Sequence, residues 1–281
     1  RMVAIYSNPA SAQTANALYR NDRVMDGIIE RLSTGKRINS AADDPAGLAI
    51  ATRLTSQVNG LNQAARNANN AISMVQIADN AADTLDNIFQ RMREIVVQAA
   101  DGSNSASDIA LLNTEFTALA EETDRLVDTT SYNGRNIIDG NADESGGSSV
   151  TYQVGSNAGI EQTLTIDFGD LNLGNGGLGG DFSSWKTTGL GSNLNTTLTD
   201  IDTAISAVAT QRATYGASLN RLEYAVDNLH SASLTTSIAR GRIEDTNYAA
   251  ETARLAKQQI LEQVGTALLA QANVEAKSVL K

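Results

Sequence analysis

The chain has no cysteine. That excludes disulfides, thiolate metal sites and a cysteine nucleophile. Its single histidine, His230, has no second histidine or thiol to complete a metal site, so it reads as structural or solvated. Aromatic residues are 4% of the sequence, with one tryptophan, too few for a large aromatic-packed core. No apolar run approaches the length of a membrane span, and no basic-then-apolar leader opens the sequence. The expectation is no membrane insertion, and export, if any, by a route that does not read such a leader. The HExxH, Gly-rich phosphate-loop and Gly-x-Ser-x-Gly patterns are also missing. Catalytic residues, cofactors and metals are therefore not expected. Asp43-Asp44 comes nearest to a metal pair, but no further ligands cluster beside it. With Pro45 next in line it reads as a helix cap.

Basic surface is scarce too. The formal net charge is −11, which argues against nucleic acid as the main partner. The charge is uneven. Residues 1–37 hold six basic groups against three acidic ones, so the acidic excess falls mostly in the middle of the chain.

What is present is helical patterning. Leu54, Val58, Leu61, Ala65, Ala68, Ile72, Val75, Ala82, Leu85, Phe89, Met92 and Val96 recur at alternating steps of three and four. One longer stride passes over Ala78 and Asp79. This is the seam of a helix that lies along other helices. From Pro45 to about Ala100 such a helix would be roughly 80 Å long at ~1.5 Å per residue. A second rod begins at Leu198 and continues through Ile201, Ile205, Val208, Tyr215, Leu219, Leu222, Val226 and Leu229, with Arg212 in one expected apolar place. A shorter helix from about Ser107 to Val127 carries Ile109, Leu112, Phe116, Leu119 and Leu126, with Ser107 or Asp108 suited to cap it.

The ends are only thinly apolar. Leu18, Met25 and Leu32 repeat every seventh residue in an N-terminal helix that Gly35 can close. The C-terminal stretch from Glu244 has Ala250, Ala253, Ile260, Val264, Ala267 or Leu268, and Ala272. An isolated pair of such helices buries little apolar area, at ~25 cal/mol per Å². Ordering each residue costs about 1–2 kcal/mol of backbone entropy. The expectation is that both ends are largely disordered in a lone chain and fold when copies pack together.

Residues 143–196 differ in character. Val150, Tyr152 and Val154 alternate, as do Leu164, Ile166 and Phe168, giving two short strands joined across Gly155–Glu161. Tyr132-Asn133-Gly134-Arg135 carries a tight-turn signal. The expected fold class is mainly α: long antiparallel rods of coiled-coil or bundle type, paired terminal helices and a small β-rich middle module packed on the rods. The expected division is 1–43 with 244–281, 44–142 with 197–243, and 143–196 as a surface module. The chain ends pair, the rods pair next, and the middle lies at the far tip.

The motifs then become specific. The run Ser33 to Ile50, STGKRINSAADDPAGLAI, resembles the N-terminal signature of bacterial flagellin. Gln90-Arg91-Met92-Arg93-Glu94-Ile95, Tyr132-Asn133-Gly134, Ala253 to Leu261 (ARLAKQQIL) and Leu269-Ala270-Gln271-Ala272-Asn273 are similar to further flagellin segments, in the same order. The resemblance spans roughly residues 2–142 and 197–275. Pro9, in the opening run from Val3, stands where the family more often has a small or aliphatic residue. The finish at Val279-Leu280-Lys281 is slightly short of the usual apolar one.

The resemblance implies an exported subunit of the extracellular flagellar filament that polymerises with itself and serves swimming. It implies paired termini in the filament core, with Leu18, Met25, Leu32, Ile260, Val264 and Leu268 packing there. The implied partners are the filament cap and hook-junction proteins, and an export chaperone that shields the C-terminal stripe. In resembling flagellins, positions matching Arg91, Ile95 and Glu115 contact Toll-like receptor 5 and also serve subunit packing, and either role is open here. Two alternatives remain: a hook–filament junction protein of the same architecture, or a secreted ligand or adhesin acting through 143–196. Asn195-Thr196-Thr197 fits an N-glycosylation pattern too short to assign.

Overall fold

The computed structural model describes residues 8–278 except 175 and 192, with side chains described as far as 274. The opening residues 3–7 and the finish at 279–281 lie outside the described residues. Five helices carry most of what is described: α1 (Pro9–Thr34), α2 (Pro45–Ala99), α3 (Ala106–Thr129), α4 (Leu194–Glu244) and α5 (Tyr248–Ser278). The chain divides into two compact units, Arg1–Val58 with Leu234–Lys281, and Asn59–Ser233.

In the first unit α1 pairs with α5. Asn8 caps α1 by accepting from the Ser11 N–H at 3.1 Å, and Pro9 takes the first helical position, where its missing N–H costs nothing. Gly35 closes the helix at φ 72°, a left-handed geometry that favours glycine, with its N–H donating to the Arg31 carbonyl. The link to α2 then aligns with the link between α4 and α5. Arg37 N–H donates to the Glu244 carbonyl at 2.6 Å, and Thr246 N–H to the Gly35 carbonyl at 2.9 Å. Asp44 caps α2 as expected: its Oδ1 accepts from the Gly47 N–H at 2.9 Å. Its neighbour Asp43 turns back onto the link. Main-chain Ser40, then the Ser40 hydroxyl and main-chain Asn39, hold its carboxyl below the usual 3.8.

The second unit has the larger core. Of the ten α2 stripe positions in this unit, all but Ile72 are buried, and Ile72 is half-buried. The long stride has a physical explanation. Ala78 is buried in the seam, and Asp79 faces the misfit of the other rod: Arg212 Nε donates to Asp79 Oδ1 at 3.2 Å, and Arg212 Nη1 lies 2.9 Å from Asp83 Oδ1. The two polar interruptions answer one another. Asn62 with Ser233 and Arg93 with Asp202 lie in step with the same antiparallel register of α2 and α4.

Two local expectations are corrected. The cap of α3 is Ser105, not Ser107 or Asp108. Ser105 accepts from the Asp108 N–H while the Asp108 carboxylate accepts from the Ser105 N–H, a reciprocal box that satisfies two orphan donors. Helix α4 starts at Leu194, four residues before its stripe. The Asn-Gly signal gives a two-residue turn between β1 (Ser131–Tyr132) and β2 (Arg135–Asn136), with Asn133 at φ 52° and Gly134 at φ 78°.

Strands β3 (Ser149–Gln153) and β4 (Thr163–Asp167) form the expected antiparallel pair. The hairpin folds back along α2, where Tyr152 Oη donates to Met74 Sδ at 2.8 Å and Asn67 Nδ2 to the Gln153 carbonyl at 3.1 Å. The segment has no separate core. Ile166, Phe168, Leu173 and Trp185 belong to the same buried cluster as Phe89, Phe116 and Val208. Trp185 stacks on Phe182 at 4.6 Å and meets Phe89 and Phe116 edge-on. Few aromatics are present, and these four are gathered at one place.

Candidate assembly surface

Helix α5 shows which side of the terminal pair is finished. Its less exposed positions run Glu251, Leu255, Gln258, Glu262, Gly265, Leu269 and Ala272, at steps of four and three. This seven-residue rhythm faces α1, and three of its seven positions are polar. The contacts match that character. Arg31 Nε donates to Glu251 Oε1 at 2.6 Å. Asn21 Nδ2 donates to the Gln258 carbonyl at 3.1 Å, and Asn8 Nδ2 to the Ala272 carbonyl at 2.9 Å. On α1, only Asn21 and Ile28 are fully buried, while Leu18, Met25 and Leu32 are half-buried.

The apolar stripe of α5 points the other way. Ile260 is 60% exposed, Val264 48% and Leu268 56%. On α1, Tyr19, Val24 and Ile29 are exposed as well. The first unit thus mixes polar and apolar groups inside its helix pair and leaves a second set of bulky aliphatics facing outward. Sequence patterning located this stripe but could not say which way it faces, because the inward line with Leu255, Leu269 and Ala272 is no more apolar than the outward one.

The second unit gathers two of the three remaining candidate residues. Arg91 Nε and Nη2 donate to Glu115 Oε1 at 2.9 and 2.7 Å, joining α2 to α3. Arg91 Nη1 also reaches Glu94 Oε2 at 3.0 Å. Those bonds, Glu115 first, raise the guanidinium pKa further above its ordinary value. Ile95, one turn on from Arg91, is 0% exposed and lies in the core. Arg91 and Glu115 therefore share an exposed patch that does not include Ile95. Among the described residues no group of three or more His, Asp or Glu side chains is placed to hold a metal, and no helix is long and apolar enough to cross a membrane.

The profile of the bacterial flagellin N-terminal helical region matches residues 5–143, and that of the C-terminal helical region matches residues 198–281. The flagellin of Halalkalibacterium halodurans is 38% identical over 253 residues, 90% of this chain and 89% of its own length. The chain belongs to the bacterial flagellin family. The flagellin of Bacillus subtilis is 34% identical, over 99% of this chain and 98% of its own. A solved structure described as a flagellar hook-associated protein from Vibrio parahaemolyticus matches with a TM-score of 0.58 over 72% of this chain and all of that one; at 17% identity the likeness is one of fold alone. As a flagellin, the chain is a structural subunit of the extracellular flagellar filament, not an enzyme. The family profiles cover the helical parts and leave out residues 144–197, the segment that carries β3, β4 and Trp185.

Proposed function

We propose that this flagellin polymerises by burying the outward faces of α1 and α5 against the same helices of neighbouring copies. The observation that carries the reading is the open aliphatic face of α5, whose Ile260, Leu261, Val264 and Leu268 are exposed although the helix is already paired with α1. Apolar surface of that extent favours association at ~25 cal/mol per Å² removed from water. The same face suits an export chaperone before assembly, and cap and hook-junction proteins at the ends of the polymer. The three-part division 1–43 with 244–281, 44–142 with 197–243, and 143–196 then describes roles in the assembly, not separately folded pieces.

Arg91 and Glu115 fit a contact between neighbouring subunits. Toll-like receptor 5 recognition at this patch rests on those two residues, since Ile95 is inside. Replacing Arg91 with Asp, and assaying polymerisation and receptor activation separately, distinguishes the two roles.

The test of the main reading is seeded growth of the full chain, viewed by electron microscopy. Filaments of micrometre length support it; short rings point to a junction protein. For the adhesin reading, deletion of 143–196 is uninformative because it would remove Phe168 and Trp185 from the core. Ile160→Ser, at a position 92% exposed, leaves the core intact and tests that surface instead.

A further inference from the structure

Gly265 is the one glycine in α5, in the middle of the helix and on the side facing α1. Glycine there weakens a helix that already has a thin inner face. The packing accounts for it. A Cβ at position 265 would come within 2.8 Å of Leu18 Cδ2 and 3.2 Å of Leu18 Cγ, closer than side chains pack. Leu18 fills the space that the missing methyl leaves. This contact forms part of the wall of an open groove of about 390 Å³, lined by Gly265 and Leu18 together with Ala17, Leu261, Val264 and Leu268. Three of these, Leu261, Val264 and Leu268, are among the exposed aliphatics of α5.

We propose that Gly265 is a positioning residue for assembly: its bare backbone seats Leu18 and so keeps the adjoining groove open for a helix of a second copy of this chain. The proposal rests on the polymerisation reading above. With a methyl at 265, Leu18 has to move. The free space within its reach is the groove it already lines. Leu18 then fills the volume that a neighbour's apolar side chains would enter. The single chain tolerates this, because the groove has room and alanine favours the helix more than glycine does. The polymer does not, because its docking volume is lost.

The experiment compares wild type, Gly265→Ala, Leu18→Ala and the double variant as full chains. Helicity is measured by circular dichroism and seeded elongation by the concentration needed to extend filament fragments. Gly265→Ala is expected to keep or raise monomer helicity while raising that concentration about tenfold, as overpacking of ~1–3 kcal/mol would. The double variant is expected to recover most of the elongation, since a side chain cut back to a methyl at position 18 neither clashes with the new methyl at 265 nor fills the groove. Leu18→Ala alone is expected to elongate less well than wild type, because its seat is then empty. If Gly265→Ala loses helicity, the double variant carries the test, and its recovery supports the proposal. Elongation by Gly265→Ala equal to wild type, or a double variant no better than Gly265→Ala, overturns it and leaves the polymerisation reading standing. A wild-type chain that never extends a seed overturns both.

Discussion

Arg31 Nε lies 2.6 Å from Glu251 Oε1, and Glu251 is the one charged residue among the described positions that is fully buried, at 4% exposure. The bond clamps the C-terminal end of α1 to the first turns of α5. Arg254 Nη1 meets the other oxygen of the same carboxylate at 3.1 Å. Charge-assisted bonds of this kind are stronger than neutral ones. Arg31 keeps about a quarter of its side chain in water, which tempers the gain. Glu251→Ala should cost about 1–3 kcal/mol in the first unit. Hydrogen exchange along α1 is the measurement. Protection should fall there while the amides of α3, in the other unit, keep theirs; equal loss in both would be the wrong outcome.

The Arg212–Asp79 pair makes a second prediction. It sits where both apolar stripes are interrupted, and its side chains are about one-third exposed. A double-mutant cycle with Arg212→Ala and Asp79→Ala, read by urea unfolding, should give a coupling of roughly 0.5–1 kcal/mol. A cycle that closes at zero would leave the register of α2 and α4 to the apolar contacts alone.

How much of this was legible in the sequence depends on where the hydrophobic signal lies. The α2 stripe could be read almost position by position, because Leu85, Phe89, Met92 and Val96 are large and the step pattern admits one helical face. Even its one gap had a meaning, but only the structure pairs Asp79 with Arg212, since nothing local states the register of two distant helices. The α3 cap was there to be read as Ser-x-x-Asp from Ser105, though Ser107 and Asp108 competed with it. The facing of helix α5 was not legible for a physical reason. Its aliphatics Ile260, Val264 and Leu268 are exposed, so the stripe marks the face left open and not the one packed against α1. The environment of Trp185 was out of reach, because it is built from Phe89, Phe116 and Phe182, contributed by three separate segments.

That aromatic cluster gives the third prediction. Trp185→Ala removes the residue around which the other three rings are arranged and should destabilise the second unit by about 3–5 kcal/mol. The urea midpoint of that unit should fall sharply, and a shift within error would show that the cluster does not support the core.

The pH dependence follows from two opposite kinds of group. The Ser105 hydroxyl, then its main-chain N–H, hold Asp108 below 3.8, just as main-chain Ser40, the Ser40 hydroxyl and main-chain Asn39 hold Asp43. A depressed carboxyl contributes stability that is present above its unfolded value and lost as pH falls through the folded one. Fraying of the α3 start and of the link after α1 should therefore begin only below about pH 4. Tyr152 behaves in the opposite sense. Burial pushes its phenol from 10.0 up to about 12, and burial likewise raises Tyr215, whose Oη donates to the Phe168 carbonyl at 2.6 Å. Their contribution is complete below the unfolded value and lost as pH rises through the folded one. Phenolate absorbance should show these two tyrosines ionising only together with unfolding of the second unit. Ionisation of all seven in one early step would contradict that.

The most direct test replaces Ile260, Val264 and Leu268 together with serine and follows seeded elongation beside the unfolding of the second unit. The account predicts an unchanged unfolding transition and a chain that no longer lengthens seeds. Growth at the wild-type rate by the triple variant would contradict it.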